Sequence, residues 1–189
     1  MGMLEIKREK DSRVVKCILH RVADIPGGVG IDTANLGGNA LKEGTPLGKG
    51  SNGLYKVVKT AKVTENASNS ATSIKVAKGH HFIAGDKISN GTANAQTISS
   101  IDKTNAAYDV ITVGTTLGAA LSVGDVLFEA NSGATTLAVT PICVAGSNYD
   151  VEAGKNLFVD AWVIAVVLEG NAPVVNSTIK TALKTVVYV

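Results

Sequence analysis

Few residues in this chain have the types and spacing that chemistry requires. The adjacent histidines His80 and His81 are the first candidates for metal ligands. Neighbouring side chains in a strand point to opposite faces, and no Cys or acidic cluster accompanies the pair, so we expect a solvated loop pair and no metal. Lys49 is followed by Gly50 and not by Ser or Thr, which excludes a phosphate-binding loop, and Gly28-Val29-Gly30 lacks the third glycine of a dinucleotide fingerprint. The sequence therefore predicts a protein that is not an enzyme and has no cofactor.

The two cysteines are predicted to be free and buried. Cys17 and Cys143 lie far apart, match no metal-ligand spacing, and are both flanked by aliphatic residues. A thiol in such a setting behaves as a small apolar side chain.

Charge and hydropathy argue against nucleic acid and membrane partners. The net charge is +2, and the only arginines, Arg8, Arg13 and Arg21, are interspersed with acidic residues near the N-terminus. This mixed pattern is typical of a solvated arm, whereas nucleic-acid binding favours basic residues interleaved with aromatics. The N-terminal residues do not resemble a signal peptide, and the longest apolar run, Ala161 to Leu168, is too short to span a bilayer.

Composition and turn signals predict an all-β fold. Aromatic residues make up only 4% of the chain, while Val, Thr, Ile, Gly and Asn are frequent, which is typical of short strands joined by tight turns. We expect a β-sandwich or small barrel body with an inserted small β module and an extended N-terminal arm. The predicted divisions are 1–25 for the arm and first strand, 26–65 for a turn-rich connector and the first part of the body, 66–130 for the module, and 131–189 for the second part of the body.

Two further patterns support this organisation. Residues 83–88 and 122–127 share a Gly-Asp turn that leads into a strand, so Asp86 and Asp125 are interpreted as turn residues. The strongest strand, Leu157 to Leu168, is apolar on both faces, which is typical of a central strand or a subunit contact. The candidate residues for a subunit interface or core on this strand are Phe158, Trp162, Ile164 and Val166.

Residues 26–48 first fit either an irregular surface loop or an extended segment laid on the body or on a partner. The segments Ile25-Pro26-Gly27-Gly28-Val29 and Gly44-Thr45-Pro46-Leu47-Gly48 resemble the opening of head-fibre or capsid-decoration proteins of tailed bacteriophages. The stretch from Ile74 to Glu129 is similar to small β modules of phage virion proteins. The resemblance covers most of the chain, and its motifs consist of turn residues.

The resemblance implies a non-enzymatic virion protein on the outer surface of an assembled capsid. Its partner would be the major capsid protein, and it would commonly be a homotrimer. The residues expected at the capsid interface are Ile25, Pro26, Gly27, Gly28, Val29, Thr45, Pro46 and Leu47. The alternative is a carbohydrate- or cell-surface-binding β module, with contacts from Tyr55, Tyr108, His80 and His81.

Overall fold

β-strands form nearly all of the regular structure in the computed structural model, which describes residues 16–92, 94–131, 135–152 and 154–189. The strands before residue 80 are β1 (Ile18–Asp24), β2 (Val29–Ile31), β3 (Ala40–Leu41), β4 (Pro46–Lys49), β5 (Tyr55–Val57), β6 (Thr60–Lys62) and β7 (Ser73–Ala77). The later strands are β8 (Lys87–Ser89), β9 (Gln96–Asp102), β10 (Tyr108–Val113), β11 (Val126–Glu129), β12 (Cys143–Ala145), β13 (Tyr149–Asp150), β14 (Leu157–Val159), β15 (Ala161–Val167) and β16 (Val186–Tyr188). The all-β prediction is confirmed. The predicted arm upstream of residue 16 lies outside the described residues.

Helical structure within the described residues is limited to a short 3₁₀ turn (Glu169–Asn171) and the helix α1 (Ser177–Ala182). The helix begins where the side chain of Asn176 accepts a hydrogen bond from the Ile179 N–H at 2.9 Å, which caps an otherwise unsatisfied donor. A membrane-spanning helix would need greater length and apolar content than any helix in these ranges has.

The body consists of one large curled sheet and a small sheet in which β13 pairs with β3. The strands of the large sheet follow the order β1-β15-β12-β4-β5-β2-β14, with β16 also paired to β15. Because β14 and β15 are separated only by Asp160, the two ends of the path from β15 through β4 to β14 are parts of one bent strand, and the sheet closes most of a barrel. Its interior is filled by small aliphatic side chains from these strands, including Ile31, Leu47 and Val159.

The predicted single strand from Leu157 to Leu168 is interrupted at Asp160 for a local reason. The backbone N–H of Asp160 donates to the hydroxyl oxygen of Tyr149 at 2.9 Å, and the Tyr149 hydroxyl in turn bonds the Asp160 carboxylate. The indole N–H of Trp162 also donates to this carboxylate at 3.3 Å. The Asp160 N–H therefore bonds a side chain in place of a neighbouring strand, while its carbonyl still accepts the Gly146 N–H at 3.0 Å.

The second sheet is formed by one continuous stretch of chain. Its order is β6-β11-β8-β9-β10-β7, so all of its strands fall between Thr60 and Glu129. Alternate residues of β10 are buried, and its core is closed by side chains such as Ile74, Phe82 and Ile111. We call this unit the module; it begins with β6, ahead of the predicted boundary at residue 66.

The Gly-Asp turns repeat as predicted. Asp86 accepts a hydrogen bond from the Ile83 N–H at 2.8 Å, and Asp125 accepts one from the Ser122 N–H at the same distance. The preceding glycines adopt positive φ angles of +95° and +99°, which a side chain would oppose. The interpretation of both aspartates as turn residues is confirmed.

In the module, residues 82–88 and 121–127 each have a hydrophobic residue at both ends and Gly at the fourth place. This seven-residue pattern also occurs twice in the body. Residues 41–47 contain one copy, in which the Thr45 hydroxyl donates to the Lys42 carbonyl at 2.7 Å. Residues 151–157 contain another, in which the Lys155 N–H donates to the Glu152 carbonyl at 3.2 Å, and this copy was not predicted. Body and module thus use one device to start strands.

Candidate interaction surfaces

An exposed turn brings together two sets of residues that were predicted separately. The N–H of Gly28 donates to the Ile25 carbonyl at 2.9 Å, with Pro26 and Gly27 at the exposed corner. A Cβ atom on Gly28 would lie 3.0 Å from the ring of Phe158, so the turn lies against that ring. Phe158 is 67% exposed. We call these five residues the turn surface.

The other predicted interface residues lie inside the body. Thr45, Pro46 and Leu47 are buried, and β4 has a strand on each side, β12 and β5. Val29 is also buried, in the barrel interior. The side chains of these four residues do not reach a surface that a partner could contact. The segment 26–48 is therefore laid on the body, where it supplies β2, β3 and β4.

A second apolar area lies at the edge of the body. Within the described residues β1 has one strand neighbour, β15, and it leaves Leu19 and Val22 exposed. Ile164 on β15 is 39% exposed, and Val187 and Val189 at the chain end are exposed beside it. We call these five side chains the edge patch.

The remaining residues of the predicted subunit contact are half-buried. Val166 pairs in register with Val187, so both lie on one side of the sheet, next to the edge patch. Trp162 is covered by the Arg21 guanidinium, whose central carbon lies 5.5 Å from the ring centre. Arg21 is itself held by Glu43 at 2.8 Å. Phe158 and Ile164 are therefore exposed, in the turn surface and the edge patch respectively. Trp162 and Val166 are partly covered.

The prediction that His80 and His81 form a solvated loop pair is wrong, because both side chains are buried. The Nδ1 atom of His81 donates to the Gly37 carbonyl at 2.7 Å, and the Gly37 N–H donates to the His81 carbonyl at 2.9 Å. This reciprocal pair fastens the module to a loop of the body. A body loop distant in sequence covers the histidine, and no local pattern reveals this.

His80 is enclosed within the module. Its Nδ1 accepts from the Phe82 N–H at 3.2 Å, and its Nε2 lies 3.2 Å from a carboxylate oxygen of Asp109 without a well-aligned hydrogen bond. Burial lowers the pKa of His80 to about 4, although Asp109 acts in the opposite direction. Among the described residues, no three His, Cys, Asp or Glu side chains are grouped so as to hold a metal ion.

The candidate sugar contacts are not assembled into one site. Tyr55 belongs to the body and Tyr108 to the module, where the Lys75 ammonium lies 5.0 Å from its ring centre. With His80 and His81 buried, two of the four proposed contacts are inaccessible.

Cys17 and Cys143 are free and buried, as predicted. Burial raises the pKa of Cys17 to about 11, with Glu43 adding to the rise, and burial raises that of Cys143 to about 12. Both thiols are therefore poor nucleophiles at neutral pH.

A cavity of about 580 Å³ lies where body and module meet. Lys59 lies in the short connection from β5 to β6, and its ammonium contacts the carboxylates of Asp86 at 2.7 Å and Glu129 at 3.7 Å. Sequence reasoning assigned Asp86 a turn role and missed the other two residues. The three residues are distant in the chain, and no spacing rule connects them.

Comparison with family models, with curated proteins and with solved structures found no match to this chain. A functional proposal therefore depends on its own surfaces and side-chain clusters.

Proposed function

We propose that this protein is a non-enzymatic virion component that binds the exterior of an assembled phage capsid, as a head-fibre or decoration protein. The observation that carries the proposal is the turn surface, an exposed apolar site formed by the segment that resembles such proteins. Its partner would be the major capsid protein.

The turn surface has the properties of a protein contact. Phe158 exposes 67% of its area, and an aromatic ring on a rigid strand is a typical anchor at an interface. The turn beside it holds Pro26 and Gly27 at the surface with a fixed backbone shape. Such a site is suited to a rigid partner with a matching hollow.

Strand β1 offers a second means of attachment. Since β1 has one strand neighbour within the described residues, its outer backbone groups could pair with a strand of the capsid. Strand addition gains main-chain hydrogen bonds with little demand on sequence.

The same proposal includes a homotrimer, in which the edge patch lies between subunits. Sedimentation equilibrium at micromolar concentration should give a trimer for the natural chain and a smaller species for Val187→Asp. Val123→Asp, a matched change of an exposed valine in the module, should leave the trimer intact. A natural chain that sediments as a monomer would contradict this part.

Co-sedimentation with capsids tests the attachment. Expanded capsids would be purified from the phage whose genome encodes this chain, without the protein itself. Phe158→Asp should weaken binding by about tenfold or more, as expected for an interface anchor. Val123→Asp is the matched control, since Val123 is 60% exposed in the module. Equal binding by both variants and the natural chain would exclude the turn surface as the contact.

The genome gives an independent check. The proposal expects a major capsid protein to be encoded beside this chain. A neighbourhood of metabolic genes would contradict the virion assignment.

A further inference from the structure

Lys59, Asp86 and Glu129 form a group that we call the Lys59 cluster, in which one lysine nitrogen contacts two carboxylates. The side chains of Lys59 and Asp86 are only 6% and 8% exposed, and Glu129 is 23% exposed. Lys59 Nζ lies 2.7 Å from Asp86 Oδ2, so the carboxyl carbon is one bond farther away. The backbone also fixes the cluster, because the Glu129 N–H donates to the Lys59 carbonyl at 3.0 Å.

Each carboxyl group has a different environment. Asp86 Oδ2 also accepts the Ile83 N–H at 2.8 Å, which fixes and polarises that carboxyl group. Burial raises the pKa of Glu129, Lys59 acts against the rise, and Asp86 adds to it. A carboxyl group whose pKa is raised by burial thus lies 3.7 Å from the lysine nitrogen, within reach to accept and return a proton.

We propose that Lys59 and Asp86 condense to form an intramolecular isopeptide bond, with Glu129 carrying the proton. The bond would form once the chain folds, with no other reactant. It is a self-modification of the junction between body and module.

The reaction is balanced by the loss of one water molecule. A proton passes from the Lys59 ammonium to Asp86 Oδ2, which turns the ion pair into a neutral amine and a neutral acid. The amine nitrogen then attacks the Asp86 carboxyl carbon, and a C–N bond forms. Glu129 moves a second proton from the nitrogen to the departing hydroxyl, one C–O bond breaks, and water leaves into the adjoining cavity. Glu129 ends in its initial state.

The closeness of the Lys59 amine and the Asp86 carboxyl group would account for most of the acceleration of the reaction. Amide formation from free amine and acid is slow in water, but a fixed near-attack geometry raises the effective concentration of the groups by many orders of magnitude, on the order of 10⁵ M or more. Here both groups lie in short connections, Lys59 directly before β6 and Asp86 directly before β8.

Other lysine–carboxylate pairs in the chain provide an internal contrast. Lys78 Nζ lies 2.6 Å from Asp109, but the lysine side chain is 37% exposed. Lys75 Nζ lies 2.7 Å from Glu65, and these side chains are 35% and 63% exposed. Neither lysine has a second carboxyl group within ion-pair distance of its nitrogen among the described residues, so we expect no reaction at either pair.

Mass spectrometry of the intact, denatured full-length protein tests the bond directly. The natural chain should be lighter than its sequence by one water molecule, and a tryptic digest should contain a branched peptide joining Lys59 to Asp86. Asp86→Asn should be lighter by one ammonia molecule, because the amide would release ammonia. A natural chain that is folded by circular dichroism and has its full sequence mass would overturn the proposal.

Variants distinguish the bond from other causes of the mass loss. Lys59→Arg keeps the positive charge but should show the full sequence mass, whereas Lys78→Arg, the matched control, should keep the deficit. Glu129→Gln should remain folded and lack most of the branched peptide. A deficit that persists in Lys59→Arg would contradict the bond, and an unchanged yield in Glu129→Gln would contradict the role of Glu129.

Discussion

The body and the module bury their cores equally well but differ in what they leave exposed. Eight large apolar side chains are well exposed among the described residues, and only one of them, Val123, belongs to the module. The others lie on the body, among them Phe158 and the edge patch. Exposed apolar area concentrated on one unit is typical of an interaction site.

This difference indicates that the body and the module have different roles in binding other proteins. In the proposed function the body would contact the capsid and other subunits, since the module has only Val123 as a large exposed apolar side chain among the described residues. The two units are joined by Lys59 with Asp86 and by the reciprocal bonds of His81 with Gly37. We expect them to move as one rigid piece if these joints hold, and the following predictions test the joints and then the surfaces.

The largest effect is expected at the junction. Asp86→Ala leaves the buried Lys59 without a partner and also excludes the proposed isopeptide bond, so it should lower the free energy of unfolding by at least about 3 kcal/mol. Asp125→Ala is the matched control, because Asp125 makes the same turn bond but is only half-buried and has no lysine partner among the described residues; it should cost only about 1 kcal/mol. Chemical denaturation of both variants measures the difference. Equal losses would show that Lys59 adds nothing to the turn.

Acid should destabilise the module through His80. Its pKa falls from 6.5 to about 4 on folding, so the unfolded chain binds the proton first as the pH drops. Stability contributed by neutral His80 is therefore complete above about pH 6.5 and is lost towards pH 4, by about 3 kcal/mol. The free energy of unfolding, measured by chemical denaturation at several pH values in this range, should depend less on pH for His80→Gln than for the natural chain. The exposed His20, changed to Gln, should leave the slope unaltered.

Gly37→Ala should loosen the contact between body and module. A Cβ atom there would lie 2.4 Å from the Phe82 carbonyl oxygen, so the backbone must shift, and we expect a loss of about 2 kcal/mol. Hydrogen exchange should show faster opening around His81. Gly53→Ala is less suitable as a control because of its positive φ, whereas Gly170→Ala meets open space and should have little effect. An unchanged rate of hydrogen exchange around His81 would contradict a stabilising role for the two hydrogen bonds between Gly37 and His81.

The smallest effect on stability is expected for the exposed side chains. Phe158→Asp and Val123→Asp should each change the free energy of unfolding by less than about 0.5 kcal/mol, because both residues are mostly solvated. Thermal denaturation measures this. A large loss for Phe158→Asp would mean that the ring supports the body, which would weaken its use as a test of binding.

Local chemistry explains what the sequence alone could predict. Short β-branched runs and turn residues identified the all-β fold, and the Gly-Asp pairs at Asp86 and Asp125 indicated turns that depend on contacts within four residues. The helix cap at Asn176 is equally local.

Long-range contacts explain what could not be predicted. His81 is buried because a distant loop at Gly37 covers it, and Lys59 meets Asp86 and Glu129 only in the folded chain. The residue types of Thr45–Leu47 are compatible both with a strand on the surface and with a strand inside the barrel. Only its neighbours, β5 and β12, place it in the core.

The orientation of the protein on a virion tests the central claim most directly. If the protein is the virion component we propose, a cryo-electron microscopy reconstruction of that virion should show the body against the capsid shell, with Phe158 at the contact and the module pointing outward. A reconstruction in which the module contacts the shell, or in which the protein is missing from the capsid exterior, would contradict the account.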